Sequence, residues 1–375
     1  MTITINNKNK KTNVPNLRFP EFEGEWEYFL INDVCSEFKS GKNIKADFVF
    51  ECGEYPVYGG NGLRGYTSSY NHEGSYVLIG RQGALCGNVR SVYGKTYITE
   101  HAIAVAGNER SNTNFLHYLF LKMNLGQYSD QSAQPGLAVN KLLKLKVALP
   151  IISEQTKIAK FLSLLDERIA TQNKIIDKLQ TLIKGIVDST ILRKEKNAIV
   201  GDVCSISEQI RAEANIDDII TVRLHGNGVC KSSAENLQLG ATQYYRRRAG
   251  QLIYGKQNFH NGAIGIVPIS LDNGITSKDI PSFDIDEMKC NSVYLLAQLQ
   301  SPQYYKPAEA LTTGTGSKRL KEETFLKMPI VLPNKREQDN IATLIISISA
   351  NLDQAKKMLD LFSIQKQYLL RQMFI

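Results

Sequence analysis

Two stretches of this chain are copies of each other, and that copying limits what the chain can fold into. Residues 149–191 read LPIISEQTKIAKFLSLLDERIATQNKIIDKLQTLIKGIVDSTI, and residues 332–374 read LPNKREQDNIATLIISISANLDQAKKMLDLFSIQKQYLLRQMF. Glu154 matches Glu337, and the same spacing of 183 positions links Pro150 to Pro333, Ile158 to Ile341 and Lys174 to Lys357. A period near half of 375 residues means two large units rather than a solenoid of short repeats. Each unit is expected to be a globular segment followed by one long helix.

The period of the copied segments is helical. Ile158, Leu162, Leu165, Ile169, Gln172, Ile176, Leu179, Ile183 and Ile186 step by four and three in turn, a heptad seam with one polar break at Gln172. In the second copy the seam is Ile341, Ile345, Ile348, Leu352, Ala355, Leu359, Phe362, Lys366 and Leu369. Pro150 and Pro333 disfavour helix at the residue before them, and Ser153 ahead of Glu154 reads as an N-cap with an acidic first turn. About 40 residues at 1.5 Å each make a rod of roughly 60 Å. An exposed apolar seam on both rods is best buried by pairing them. The expectation is an antiparallel coiled coil with a globular unit at each end and pseudo-two-fold symmetry, the alternative being an ordinary core helix in each of two domains. Lys366, which stands where Ile183 stands in the first copy, is expected to loosen the packing at that end.

The expected organisation is a disordered tail over 1–13, a globular domain over 14–150, a long helix over 151–195, a second globular domain over 196–333 and a C-terminal helix over 334–375. Cys35, Cys52, Cys86, Cys204, Cys230 and Cys290 are scattered without a CxxC pair, which argues against a zinc module or a disulfide framework and for reduced thiols in a cytoplasm. The start, MTITINNKNKKTN, has no apolar core of a signal peptide, and no apolar run reaches spanning length. The net charge of +8 points toward a polyanionic partner. It is unevenly placed: residues 197–333 hold 14 basic and 14 acidic groups. If the second globular segment meets a polyanion, it does so through local clusters.

Both globular segments read as β-rich, so the fold class is α+β. Residues 76–79, 97–99 and 102–105 are expected strands in the first, and 251–254 and 263–268 in the second. Short helices are expected over 114–122 and 292–300. A faint echo links the two segments, a strand followed by Gly and a basic residue (Gly80-Arg81 and Gly255-Lys256); elsewhere they are expected to differ almost completely. Several loops mix basic, amide and aromatic groups. In the first segment these are Asn61, Arg64, Tyr66, Arg81 and Gln82. In the second they are Arg223, Asn227, Tyr244, Arg246, Arg247, Arg248, Lys256, Gln257, Asn258, Lys318 and Arg319, the last two closing the stretch Thr315-Gly-Ser-Lys-Arg. Such side chains read base edges, with Arg or Lys on guanine and Asn or Gln on adenine, and the cations also hold phosphates. The plainer reading makes the Gly-rich loops tight turns and 246–248 a solvated face.

Catalytic signatures are missing. Gly314-Thr-Gly-Ser-Lys318 lacks Walker A spacing. There is no Asn/Asp-Pro-Pro-Tyr/Phe tetrapeptide, no GxSxG elbow and no metal spacing among His72, His101 and His260. Glu287 and Lys289, with Asp272 or Asp279 upstream, only faintly mimic a metal nuclease. The chain reads as a binder and not a catalyst. Two other functions stay open: a paired-helix scaffold whose basic charge is incidental, and a stand-alone nuclease centred on Glu287 and Lys289.

With the duplicated LP-x3-EQ-x2-IA helix start at 149–169 and 332–345 and two dissimilar heads, the chain resembles the specificity subunit of a Type I restriction–modification enzyme. Residues 14–26 (VPNLRFPEFEGEW) and 55–62 (YPVYGGNG) also look like that family's first domain. The resemblance implies that each head is a target recognition domain reading one half of a split, asymmetric site on double-stranded DNA, with the helices as the ruler between halves. It implies two modification subunits docked on the helices, which methylate adenine with S-adenosylmethionine, and two restriction subunits, motor–nucleases using ATP and magnesium. Those chemistries are not expected in this chain, which needs no cofactor or metal of its own.

Overall fold

The structure, a computed structural model, describes residues 4–5, 13–130, 135–232, 242–314 and 318–375. The chain divides into two compact units, residues 1–173 with 357–375, and residues 174–356. Of the expected tail, Thr4–Ile5 pair antiparallel with Leu17–Arg18; residues 1–3 and 6–12 lie outside the described residues, as do 315–317 of the Thr315–Arg319 loop.

In the first unit a six-stranded sheet runs in the order Cys35–Ser40, Ala102–Gly107, His72–Gly80, Val89–Ile98, Tyr55–Gly59, Gly62–Thr67. Its pairs are antiparallel except Tyr55–Gly59 beside Val89–Ile98. Side chains alternate across the sheet as the strand period of two requires. Val77, Ile79, Ile103 and Val105 face Phe115, Leu116 and Leu119 of the helix Thr113–Met123, while Leu78, Val92, Ala102 and Ala104 build a second cluster on the other side. The second unit uses shorter strands. Its largest sheet has the order Cys204–Ile206, Ser282–Ile285, Leu252–Tyr254, Ile264–Ile266, and Tyr254, Phe259, Phe283 and Phe325 form one aromatic cluster in its core. The expected strands and both short helices, Thr113–Met123 and Ser292–Leu299, are present.

The long helices are Ile152–Val187, closed by a wider π-type turn over Asp188–Leu192, and Lys335–Gln372. Every seam position is buried or half-buried, while most positions between are exposed. Within the first unit, Ile158, Leu162 and Leu165 share a core with Leu369, Met373 and Phe374. Within the second, Val187 and Ile191 share one with Ile341, Ala342 and Ile345. Lys366 does not loosen its end. Its ammonium lies 2.5 Å from Asp166 and over the Tyr118 ring, and the Tyr118 hydroxyl donates to the same carboxylate at 2.8 Å.

Two expectations about the helix starts and the heads are corrected. Ser153 is inside the first helix, because the Ile151 carbonyl already accepts from the Glu154 and Gln155 N–H groups; the second helix is capped by Asn334, whose side chain accepts from Glu337 N–H at 3.0 Å. The heads also share far more than one strand and a glycine. Ile31–Val34 is a helical turn feeding the strand Cys35–Ser40, and Val200–Asp202 is one feeding Cys204–Ile206. The preceding strand pairs antiparallel with the segment before Leu-Pro in both: Glu27–Leu30 with Lys146–Leu149, Ala198–Ile199 with Pro329–Ile330.

The repeated Glu-Gln has a structural cause. Gln155 is fully buried; it donates to the Arg110 and Pro150 carbonyls at 2.9 and 2.8 Å and accepts from Asn112 N–H at 2.9 Å. Gln338, 1% exposed, donates to the Lys289 and Pro333 carbonyls at 3.1 and 2.8 Å and accepts from Asn291 N–H at 2.9 Å. Asn112 and Asn291 are the N-caps of the two short helices. One amide thus satisfies three buried backbone groups and fastens each short helix to a long one.

Candidate nucleic-acid interface

The strand-Gly-basic echo marks a common frame. In the first unit Arg81 N–H donates to the His101 carbonyl at 2.9 Å, and the Arg81 carbonyl accepts from Leu137 N–H at 2.9 Å. In the second unit Lys256 N–H donates to the Asp279 carbonyl at 2.9 Å, and its carbonyl accepts from Leu320 N–H at 2.9 Å. Leu137 and Leu320 are buried anchors at the repeat spacing. Each head therefore clamps the same loop position from both sides.

Around that clamp the first unit gathers its candidates. Gly60 lies so close to the second loop that a Cβ there would sit 2.6 Å from the His101 carbonyl oxygen and 3.2 Å from Gly80 Cα. This contact brings Asn61 and Arg64 to Arg81 and Gln82. Asn61, Arg64 and Gln82 are exposed; Arg81 and Tyr66 are half-buried. Two residues join that the sequence reading did not select. Arg90 reaches over Gly62, its guanidinium 3.1 Å from where a Cβ would be. His101 has its Nδ1 3.3 Å from Gln82 Oε1. Only the β-pairing of Gly80 with Ala102 and of Ile79 with Val89 places them there, so no local motif could have shown it.

The second unit brings together some candidates and rejects others. His225 N–H donates to the Asn261 carbonyl and Gly226 N–H to that of Gly262, which joins the loop of Arg223 and Asn227 to that of Gln257 and Asn258. Lys318 and Arg319 follow through the Leu320 clamp. The cations here are largely balanced: Lys256 pairs with Glu322 at 2.7 Å and is only 12% exposed, Lys318 pairs with Glu309 at 3.1 Å, and Arg319 with Asp279 at 3.2 Å. Arg223 donates to Cys230 Sγ at 3.0 Å. Asn227, Gln257 and Asn258 present exposed amides.

Arg247 and Tyr244 are corrections. Arg247 is fully buried and donates to Thr276, Ser282 and the Ile280 carbonyl; burial pulls its pKa down to about 10. It is a core cation satisfied by neutral acceptors and cannot reach a ligand. Tyr244 packs with Ile219 and Ile275. Arg246 and Arg248 are exposed, on a separate cleft of about 380 Å³ lined also by Glu208, Asp284 and Glu287.

The nuclease candidates do not converge. Asp279 holds Arg319, Asp272 accepts from Ala249 N–H, and Lys289 pairs with Asp286. No group of three metal-ligating side chains occurs among the described residues, and no helix among them is long and apolar enough to cross a membrane.

Comparison with known proteins bears on this frame. Residues 23–181 match the family described as Type I restriction modification DNA specificity domain. The chain is 37% identical over 204 residues to the EcoprrI Type I restriction enzyme specificity subunit of Escherichia coli, a match covering 52% of this chain and 47% of that protein. The chain thus spans about half the length of that relative. A second relative, the MjaVIII specificity subunit of Methanocaldococcus jannaschii, is 23% identical over 386 residues, covering 91% of this chain and 89% of that one. The fold is similar to the crystal structure of a Type I restriction–modification S subunit from M. genitalium, with a TM-score of 0.71 and 14% identity, over 96% of this chain and 99% of that one. Residues 23–181 thus carry a domain similar to the Type I restriction modification DNA specificity domain, and the fold of the chain is similar to that of a known S subunit.

Proposed function

We propose that the chain is the DNA-reading subunit of a Type I restriction–modification complex, each head reading one half of a split, asymmetric site. The observation that carries this is the pairing of a common clamp with unlike loops. The same hydrogen-bond frame holds Arg81 and Lys256. Around it stand Asn61, Arg64, Arg90 and His101 in one unit and Asn227, Gln257 and Asn258 in the other. A shared scaffold with different base-edge chemistry is what reading two unlike half-sites requires. The cores joining 158–165 to 369–374 and 187–191 to 341–345 support antiparallel pairing of the long helices, which then set the gap between half-sites and dock two modification subunits. Those partners supply S-adenosylmethionine and adenine methylation. Two restriction subunits supply the ATP- and magnesium-dependent steps.

The test is a footprint on DNA of the chain with and without its modification partners. The reading expects two protected patches separated by a fixed gap when the partners are present. A complex that leaves no footprint would make the chain a scaffold and sink the proposal.

A further inference from the structure

The clamp fixes more than a loop, because it fixes which side chain comes next. In each head the residue after the clamped one is a glutamine, Gln82 or Gln257, and both are exposed. The four clamping bonds are all 2.9 Å, and the glycine before each clamp donates to a neighbouring loop or strand, Gly80 to Asn88 at 2.8 Å and Gly255 to Ala263 at 3.0 Å. The Cα of each glutamine therefore leaves the same frame one residue past the same anchor. The neighbours do not match. Arg81 is half-exposed, whereas its counterpart Lys256 is drawn inward onto Glu322. Gly83 follows Gln82, and Asn258 follows Gln257. The glutamine is common to both frames; the rest varies.

We infer that Gln82 and Gln257 read the same base, adenine, one in each half-site. This rests on the proposed function. A carboxamide carries a donor and an acceptor at fixed spacing, which meet N7 and the N6 amino group of adenine on the major-groove edge; no other base offers that pair. The unlike flanks, with arginines and His101 on one side and Asn227 and Asn258 on the other, then make the two half-sites differ around a shared adenine.

The experiment uses the complex assembled with its modification partners. The wild-type motif is first mapped from adenine methylation in cells. Duplexes carrying every single base-pair replacement then compete for the purified complex. Gln82→Ala should erase discrimination at one A·T pair of one half-site, and Gln257→Ala at one A·T pair of the other, each a loss of roughly five- to 150-fold in selectivity. Gln82→Glu, which keeps the length but only accepts, should shift that position toward cytosine. Because both side chains are exposed, the melting temperature should not move. A split motif in which the relaxed pairs are G·C, or in which no pair relaxes, overturns this inference and leaves the proposed function standing. A wild-type motif that is not split removes both.

Discussion

The buried glutamine of the repeated Glu-Gln gives the sharpest test of how the heads are built. Gln155→Ala removes two donated bonds and one accepted bond, and leaves the Arg110 and Pro150 carbonyls and the Asn112 N–H without that partner in a dry place. A buried group left unpaired costs about 1–3 kcal/mol, so three together come to about 3–9 kcal/mol. Domains commonly hold only about 5–15 kcal/mol in total. For a unit of this size each kcal/mol lowers the melting temperature by about 2–4 °C, so the first unit should melt roughly 6–36 °C lower. Calorimetry of the full chain reads this directly. Gln155→Glu keeps the acceptor for Asn112 but turns carboxylate oxygen toward two carbonyls, and should be at least as damaging. Gln338→Ala should cost the second unit a similar amount, since its three bonds are the same three. Gln180→Ala, exposed on the same helix as Gln155, should stay within about 0.5 kcal/mol of wild type. A Gln155→Ala protein that melts within 2 °C of wild type, roughly one kcal/mol at most, would refute the reasoning.

Other consequences follow from named contacts. Arg18→Ala strands Glu154, which is fully buried and bound at 2.7 and 2.8 Å; urea unfolding should show a loss of about 3–5 kcal/mol, while the double variant Arg18→Met, Glu154→Leu recovers most of it. Burial, aided by Lys366, holds the His117 pKa down near 4, below the ordinary 6.5. The unfolded chain therefore takes up this proton first as pH falls, and the stability present above 6.5 should fade between 6.5 and about 4, by up to about 3 kcal/mol. His117→Gln should remove that part of the acid sensitivity, and equal losses in variant and wild type would exclude His117 as its source. Arg247→Ala should lower the melting temperature of the second unit. Arg246→Ala should leave it unchanged and weaken DNA binding by the complex.

How much of this was legible in the sequence follows from where the determinants lie. The long helices were readable because a heptad seam is a local period, and Ile158 to Ile186 repeats it without help from tertiary contacts. The clamp was half-readable. Gly80-Arg81 and Gly255-Lys256 stand out after apolar strands, but Leu137 and Leu320 complete the frame from far along the chain. The role of Gln155 was invisible for the same reason, since its partners are backbone groups that carry no residue signature. The arginine run misled because three adjacent cations look like one patch. On extended chain successive side chains face opposite ways, and Arg247 points inward between Arg246 and Arg248. The matched turns Asp33-Val34-Cys35-Ser36 and Asp202-Val203-Cys204-Ser205 were missed because they lie 169 positions apart, not 183, so a search at the helix spacing passes over them.

The account's central claim is that two unlike readers stand on one duplicated frame. The most direct measurement is single-molecule sequencing of methylated adenines in cells that carry this chain with the modification subunits proposed for it. The account predicts one motif made of two different halves around a gap of constant length, with adenine in each half. Methylation at a continuous motif, or at two halves with a variable gap, would contradict it.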